Sequence, residues 1–339
     1  MGVIGAAGLA LCLGAAAAGC AEQPPPREAL TADPPLVNSG STAEDGAIQT
    51  ELQRGIAYVK AEKFAEAVEH FKKAVEIKPT AEALTYLGVA EERTGKRAEA
   101  EADYKKALAA DPAFVEAAQN LSALYLDDPP RPDDAIAVLS AAIGKGGDNP
   151  RLLQNLGYAK GLKGDVEGAG AAYKAALAKG EDAQVRFAFG ALLLEKKRPD
   201  EAAPHLKKAL EGTKDDAPLL VTLGRMLAGA KAYGDCVQAF DRALKLSSKD
   251  PEWFVRRGTC KHELGDEPGA KADYEAAIKV DEKFAAAHYY LGLSGLALKD
   301  RLLATKELEK AMKLGGDSPI GKNAKAKFEE IAKGNRKHK

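Results

Sequence analysis

Residues 84–112 read LTYLGVAEERTGKRAEAEADYKKALAADP, and the spacing inside this stretch decides the fold. Leu84, Leu87 and Gly88 mark one short amphipathic helix. Ala100, Tyr104 and Ala107 mark a second, at offsets of four and seven that line one helical face. Thr94-Gly95 is the turn between them, and Pro112 ends the second helix because proline lacks the N–H that a helix interior needs. Gly88 has no side chain, so a neighbouring helix can approach its backbone, while Tyr104 fills the space between helices.

One such hairpin cannot cover its own apolar face, and the chain repeats it. The glycine at 88 recurs at Gly55, Gly157, Gly190, Gly224, Gly258 and Gly292, with Ser122 in its place in the third unit, at spacings of 33 to 35 residues. The second-helix alanine returns at Ala74, Ala107, Ala142, Ala176, Ala209, Ala243, Ala277 and Ala311. A large slot between the helices holds Phe71, Tyr104, Leu139, Tyr173, Leu206, Phe240, Tyr274 and Leu308. This pattern resembles the tetratricopeptide repeat, a helix-turn-helix unit of about 34 residues. The resemblance implies an all-α fold: a right-handed superhelical α-solenoid of about eight repeats over residues 47–318. After Pro319, Ile320, Ala324, Phe328 and Ile331 form an apolar stripe, which reads as a capping helix over 319–334. Residues 335–339 are a basic tail.

The stretch MGVIGAAGLALCLGAAAAGC, residues 1–20, is apolar, rich in small residues and ends in cysteine. It resembles a bacterial lipoprotein signal peptide, which implies cleavage before Cys20, acylation of Cys20 and a lipid anchor in a membrane. No Lys or Arg precedes the apolar run, and a plain secretory signal is the alternative. Residues 21–46, with five prolines and few large apolar groups, are expected to remain an unfolded tether. Ala21 is not the aspartate that retains such lipoproteins at the inner membrane, so the expected location is the outer membrane, facing the periplasm.

The repeats leave no room for a separate catalytic domain, and the chain contains no P-loop, dinucleotide glycine fingerprint or HExxH. His70, His205, His262, His288 and His338 are scattered without ligand spacing. No enzyme, cofactor or metal is expected. A formal net charge of −1 gives no steering toward nucleic acid. With Cys12 in the leader and Cys20 acylated, Cys236 and Cys260 remain, on helices expected to be neighbours. Either a disulfide or a buried free thiol suits them.

By the family resemblance, positions three before, one after and four after each anchor glycine line an inner groove. They include Leu52, Ile56, Val89, Tyr158, Phe187, Arg225, Tyr289 and Leu293, mostly apolar, as a strip that takes a protein or peptide partner would be. Self-burial inside a tightly wound array is the competing expectation. Arg225 is the only basic residue among these positions, so the lysine-rich carboxylate clamp of co-chaperone repeats is not supported. The turn Asp127-Asp128-Pro129-Pro130-Arg131-Pro132 is expected to protrude. The functional expectation is a membrane-tethered scaffold that assembles an envelope complex, similar in architecture to pilot lipoproteins of type IV pilus secretins. The alternatives are an adaptor for cell-wall enzymes and, if residues 1–20 are not a signal, a cytoplasmic co-chaperone.

Overall fold

The computed structural model describes residues 42–127, 129–147 and 149–336, with side chains as far as Ala332. These residues form seventeen α-helices and no strand. The chain divides into two compact units, Glu22–Glu181 and Asp182–Lys339. The leader, Cys20 and the tether up to residue 41 lie outside the described residues.

The first unit holds four hairpins: α1 (Ala43–Lys60) with α2 (Phe64–Ile77), and α3 (Ala81–Arg93) with α4 (Arg97–Ala110). They continue with α5 (Val115–Leu126) and α6 (Pro132–Gly144), then α7 (Pro150–Leu162) and α8 (Val166–Lys179). Helix α1 begins before the expected end of the tether, because Thr42 and Asp45 form a capping box. The Asp45 N–H donates to Thr42 Oγ1 at 3.1 Å and the Thr42 N–H to Asp45 Oδ2 at 3.0 Å.

The second unit holds α9 (Ala183–Glu195) and α10 (Pro199–Gly212), α11 (Ala217–Gly229) and α12 (Tyr233–Leu246). It goes on through α13 (Pro251–Glu263) and α14 (Glu267–Val280), α15 (Ala285–Ala297) and α16 (Arg301–Gly315), and finally α17 (Pro319–Arg336). Aspartates cap the first helices: Asp216 accepts from the Leu219 N–H and Asp250 from the Glu252 N–H. Proline stands at the first helical position in α13, where its missing N–H has no partner to lose.

The anchor glycines work as close-approach points. A Cβ on Gly88 would sit 2.7 Å from Tyr104 Cε1, and one on Gly224 would sit 2.7 Å from Phe240 Cε2. Tyr104 and Phe240 are fully buried, so neither ring has free space to move into. At the hairpin turns Gly95, Gly164 and Gly265 take positive φ near 82°, and the same slot elsewhere holds Glu62, Lys197, Lys231 and Lys299 at φ of 58–61°. In the third hairpin Ser122 replaces the glycine. Its hydroxyl donates to Gln119 O at 2.9 Å and accepts from Asn155 Nδ2 at 3.3 Å, so the added polar group is satisfied in the core.

The cap takes the place a further hairpin would fill. Ala324, Phe328 and Ile331 of α17 pack on Leu308, Ala311 and Met312 of α16. In the large turn of the third hairpin Asp128 lies outside the described residues, and Pro129, Pro130 and Arg131 are exposed. Arg131 lies 4.1 Å over the Tyr125 ring and bonds Glu101 Oε2 at 2.7 Å, while its N–H donates to Tyr125 O at 2.6 Å. The C-terminal side of the turn is thus tied down through Arg131. Burial pushes the Glu101 carboxyl up, but hydrogen bonds from Lys105, Arg131 and Tyr125 outweigh it and bring it down to about 2.

Candidate partner-binding face

The sequence placed eight residues on the first-helix face, and the structure sorts them by depth. Leu52 and Ile56 of α1 are 0% and 2% exposed, inside a cluster with Phe71, Ala83 and Leu87. They are core residues, not groove lining, because α2 and α3 cover them from two sides. Val89 and Tyr158 are half-buried against the cluster of Tyr104, Leu121 and Leu124. Tyr289 is half-buried too: it packs on the Leu308–Ala324 cluster under α17 and meets Tyr290 edge-on at 5.2 Å. Burial accordingly raises the Tyr289 hydroxyl above its ordinary value.

Phe187, Arg225 and Leu293, all in the second unit, are half-buried as well. Arg225 Nε is buried and meets no acceptor. The accessible face is therefore narrower than the sequence suggested. An open apolar strip is reduced to short apolar stretches beside one half-buried cation, Arg225.

Cys236 of α12 and Cys260 of α13 form a disulfide, with Cα atoms 6.4 Å apart. Both are buried. Cys236 occupies the slot that holds Ala67, Ala100, Ala135, Ala169, Ala202, Ala270 and Ala304 in the other repeats. Cys260 stands two residues after its anchor glycine, on the next helix, and the Cα separation falls in the range a disulfide needs.

Four of the histidines that looked scattered have partners within hairpins, and His338 lies outside the described residues. Glu51 and His70 bond at 2.7 Å across α1 and α2, and Arg186 and His205 at 3.0 Å across α9 and α10. His288 Nδ1 meets Glu307 Oε2 at 2.6 Å, and its Nε2 donates to Glu282 O at 3.0 Å. In each case one partner stands four before the anchor glycine and the other fifteen after it, in either order. Only the stacked geometry makes that slot visible. His262 pairs with Glu267. Among the described residues, no group of three or more His, Cys, Asp or Glu is placed to hold a metal ion. Nor is any helix there long and apolar enough to cross a membrane.

Models of the tetratricopeptide repeat match residues 52–114, 121–184, 155–218 and 261–319, and a second such model matches 193–254. The chain belongs to the tetratricopeptide repeat family. A tetratricopeptide array implies a protein–protein interaction scaffold. Among relatives, the E3 ubiquitin-protein ligase CHIP of Arabidopsis thaliana is 31% identical over 102 residues, 30% of this chain and 37% of the relative. The match thus spans well under half of that relative's length. Among solved structures, a thermophilic tetratricopeptide repeat protein of Thermus thermophilus is 26% identical, with 54% of this chain and all of that chain covered at a TM-score of 0.44. Yeast Tom70 is 16% identical, with 94% and 70% covered at a TM-score of 0.48.

Proposed function

We propose that this tetratricopeptide repeat protein is an exported, membrane-tethered scaffold that assembles an envelope protein complex. The observation that carries the reading is the buried Cys236–Cys260 bond. Disulfides persist in oxidising compartments and are rare in a reducing cytosol, so the bond favours export over a cytoplasmic co-chaperone. The leader ending in Cys20 agrees with it: acylation there supplies the lipid anchor, and the proline-rich segment that follows supplies reach from the outer membrane into the periplasm.

The partner is a segment of another envelope protein held against the first helices of the second unit. Phe187 and Leu293 offer apolar contact, and the part of the Arg225 guanidinium that is not buried offers a positive charge. A carboxylate or backbone carbonyl on the segment suits that cation. The complex we favour is of the secretin type, for which this protein acts as a pilot.

Two measurements in intact cells test the reading. Palmitate labelling is expected to disappear on Cys20→Ala, and a photocrosslinker at Phe187 or Leu293 is expected to capture one envelope protein. Retained labelling, or equal capture from the outward Lys208 position, sinks the respective half of the proposal. Capture of a cell-wall enzyme in place of a secretin changes the complex but keeps the scaffold.

A further inference from the structure

The second and seventh hairpins build the same buried polar slot with opposite charge arithmetic. In the seventh, Asp273 is 3% exposed and lies fifteen residues after its anchor glycine. It receives Arg257 Nε at 3.0 Å and Lys261 Nζ at 2.9 Å, from one before and three after that glycine. Two cations thus compensate one buried carboxylate, and Arg257 also bonds the more exposed Asp241 at 2.6 Å. In the second hairpin the matching aspartate is Asp103, 6% exposed, but the two first-helix positions hold Leu87 and Glu91. Glu91 is 4% exposed, faces Asp103, and its Oε2 has no donor.

Two buried carboxyls in contact cannot both be ionised without a large cost, since desolvation and mutual repulsion act in the same direction. The surroundings do not supply the missing charge. From α2, Lys72 acts on Glu91 weakly; from α4, Glu99 adds to the repulsion, and Lys106 Nζ binds the far side at Asp103 Oδ1, 2.6 Å away. The single charged residue of α5, Glu116, acts at the Glu82 end of α3. In α1, Glu51 bonds both Arg54 and His70, Asp45 lies near Lys78, Glu44 stands in the first turn and Lys60 is exposed in the last.

We propose that Glu91 and Asp103 form a proton-dependent seam between α3 and α4. Below neutrality the pair shares one proton in a carboxyl–carboxylate hydrogen bond that closes the second hairpin. As pH rises the proton passes to water, and two like charges are left facing each other in the core. Burial first, and then the charge of Asp103, push the Glu91 carboxyl up to about 7. Because the folded value lies above the unfolded one, this pair's support for the fold is complete below about pH 4.5 and is lost as pH climbs through about 7.

The test compares the full chain with Glu91→Gln and Glu91→Lys by thermal melting at about pH 5 and about pH 8. The wild type is expected to lose several degrees more than Glu91→Gln between the two conditions. Glu91→Lys recreates the Lys261 bridge and is expected to melt above wild type at the higher pH. Protection of the α3 and α4 amides against hydrogen exchange should fall at the higher pH in wild type alone. If Glu91→Gln does not fold, Asp103→Asn serves as the second variant with the same expectation. Equal slopes for wild type and variant overturn the proposal.

Discussion

Replacing Gly224 by leucine tests the packing rule on which the hairpins depend. A Cβ at this position lies 2.7 Å from Phe240 Cε2, 3.0 Å from Cδ2 and 3.1 Å from Cζ, against about 3.5–4.0 Å for carbon atoms at rest. Phe240 is fully buried beside the Cys236–Cys260 bond, so the ring cannot swing into solvent, and α11 must lift off α12. Overpacking by a few carbons costs about 1–3 kcal/mol, and a whole leucine side chain belongs at or above the top of that range. The gain in helix propensity over glycine returns about 1 kcal/mol. A net loss of about 2–3 kcal/mol lowers the melting temperature of a unit this size by roughly 4–12 °C.

The assay is thermal melting of the oxidised chain, with Gly234→Ala as control. Gly234 lies in α12 with no atom within 4 Å of its would-be Cβ, so alanine there is neutral to slightly stabilising. A double-mutant cycle with Phe240→Ala locates the cause. Truncating the ring costs about 3–5 kcal/mol in the wild type but distinctly less in the Gly224→Leu background, where the space is needed. An unchanged midpoint for Gly224→Leu, or strictly additive losses, refutes the argument that the glycine is there to admit the ring.

Two further outcomes can be read with the same melts. Lys231 holds φ of 58°, a conformation that costs a side-chain-bearing residue about 1–2 kcal/mol, so Lys231→Gly is expected to raise stability by about 1 kcal/mol; no change or a loss contradicts it. Reduction of the disulfide reopens a loop of sequence separation 24, for which loop entropy gives about 3.5 kcal/mol. Reductant should lower the melting temperature of the wild type and leave Cys236→Ala/Cys260→Ala unmoved, while two free thiols in the non-reduced chain would remove the bond and with it the main support for export.

Much of this molecule is written along its sequence. Helix period, turn chemistry and the returning glycine, aromatic and alanine slots are local, because a hairpin that shelters only its neighbours must restate the same contacts about every 34 residues. That made the hairpins legible, along with the face each residue occupies and the apolar stripe of α17. Depth was not legible. Periodicity says that Leu52, Ile56 and Leu293 share a helical face, but only the packed helices show that the first two are sealed in and the third is partly open. The pairing slot was hidden for a related reason: Glu51–His70 and His288–Glu307 fill it in opposite order, at a sequence separation of 19 in each case. Arg131 folding back on Tyr125, Cys236 closing on Cys260 and Glu91 meeting Asp103 are likewise pairwise events between helices. A sequence fixes which groups a helix presents, whereas the free energy of a buried charge, thiol or carboxyl depends on what the neighbouring helix sets against it, and that is settled only in three dimensions.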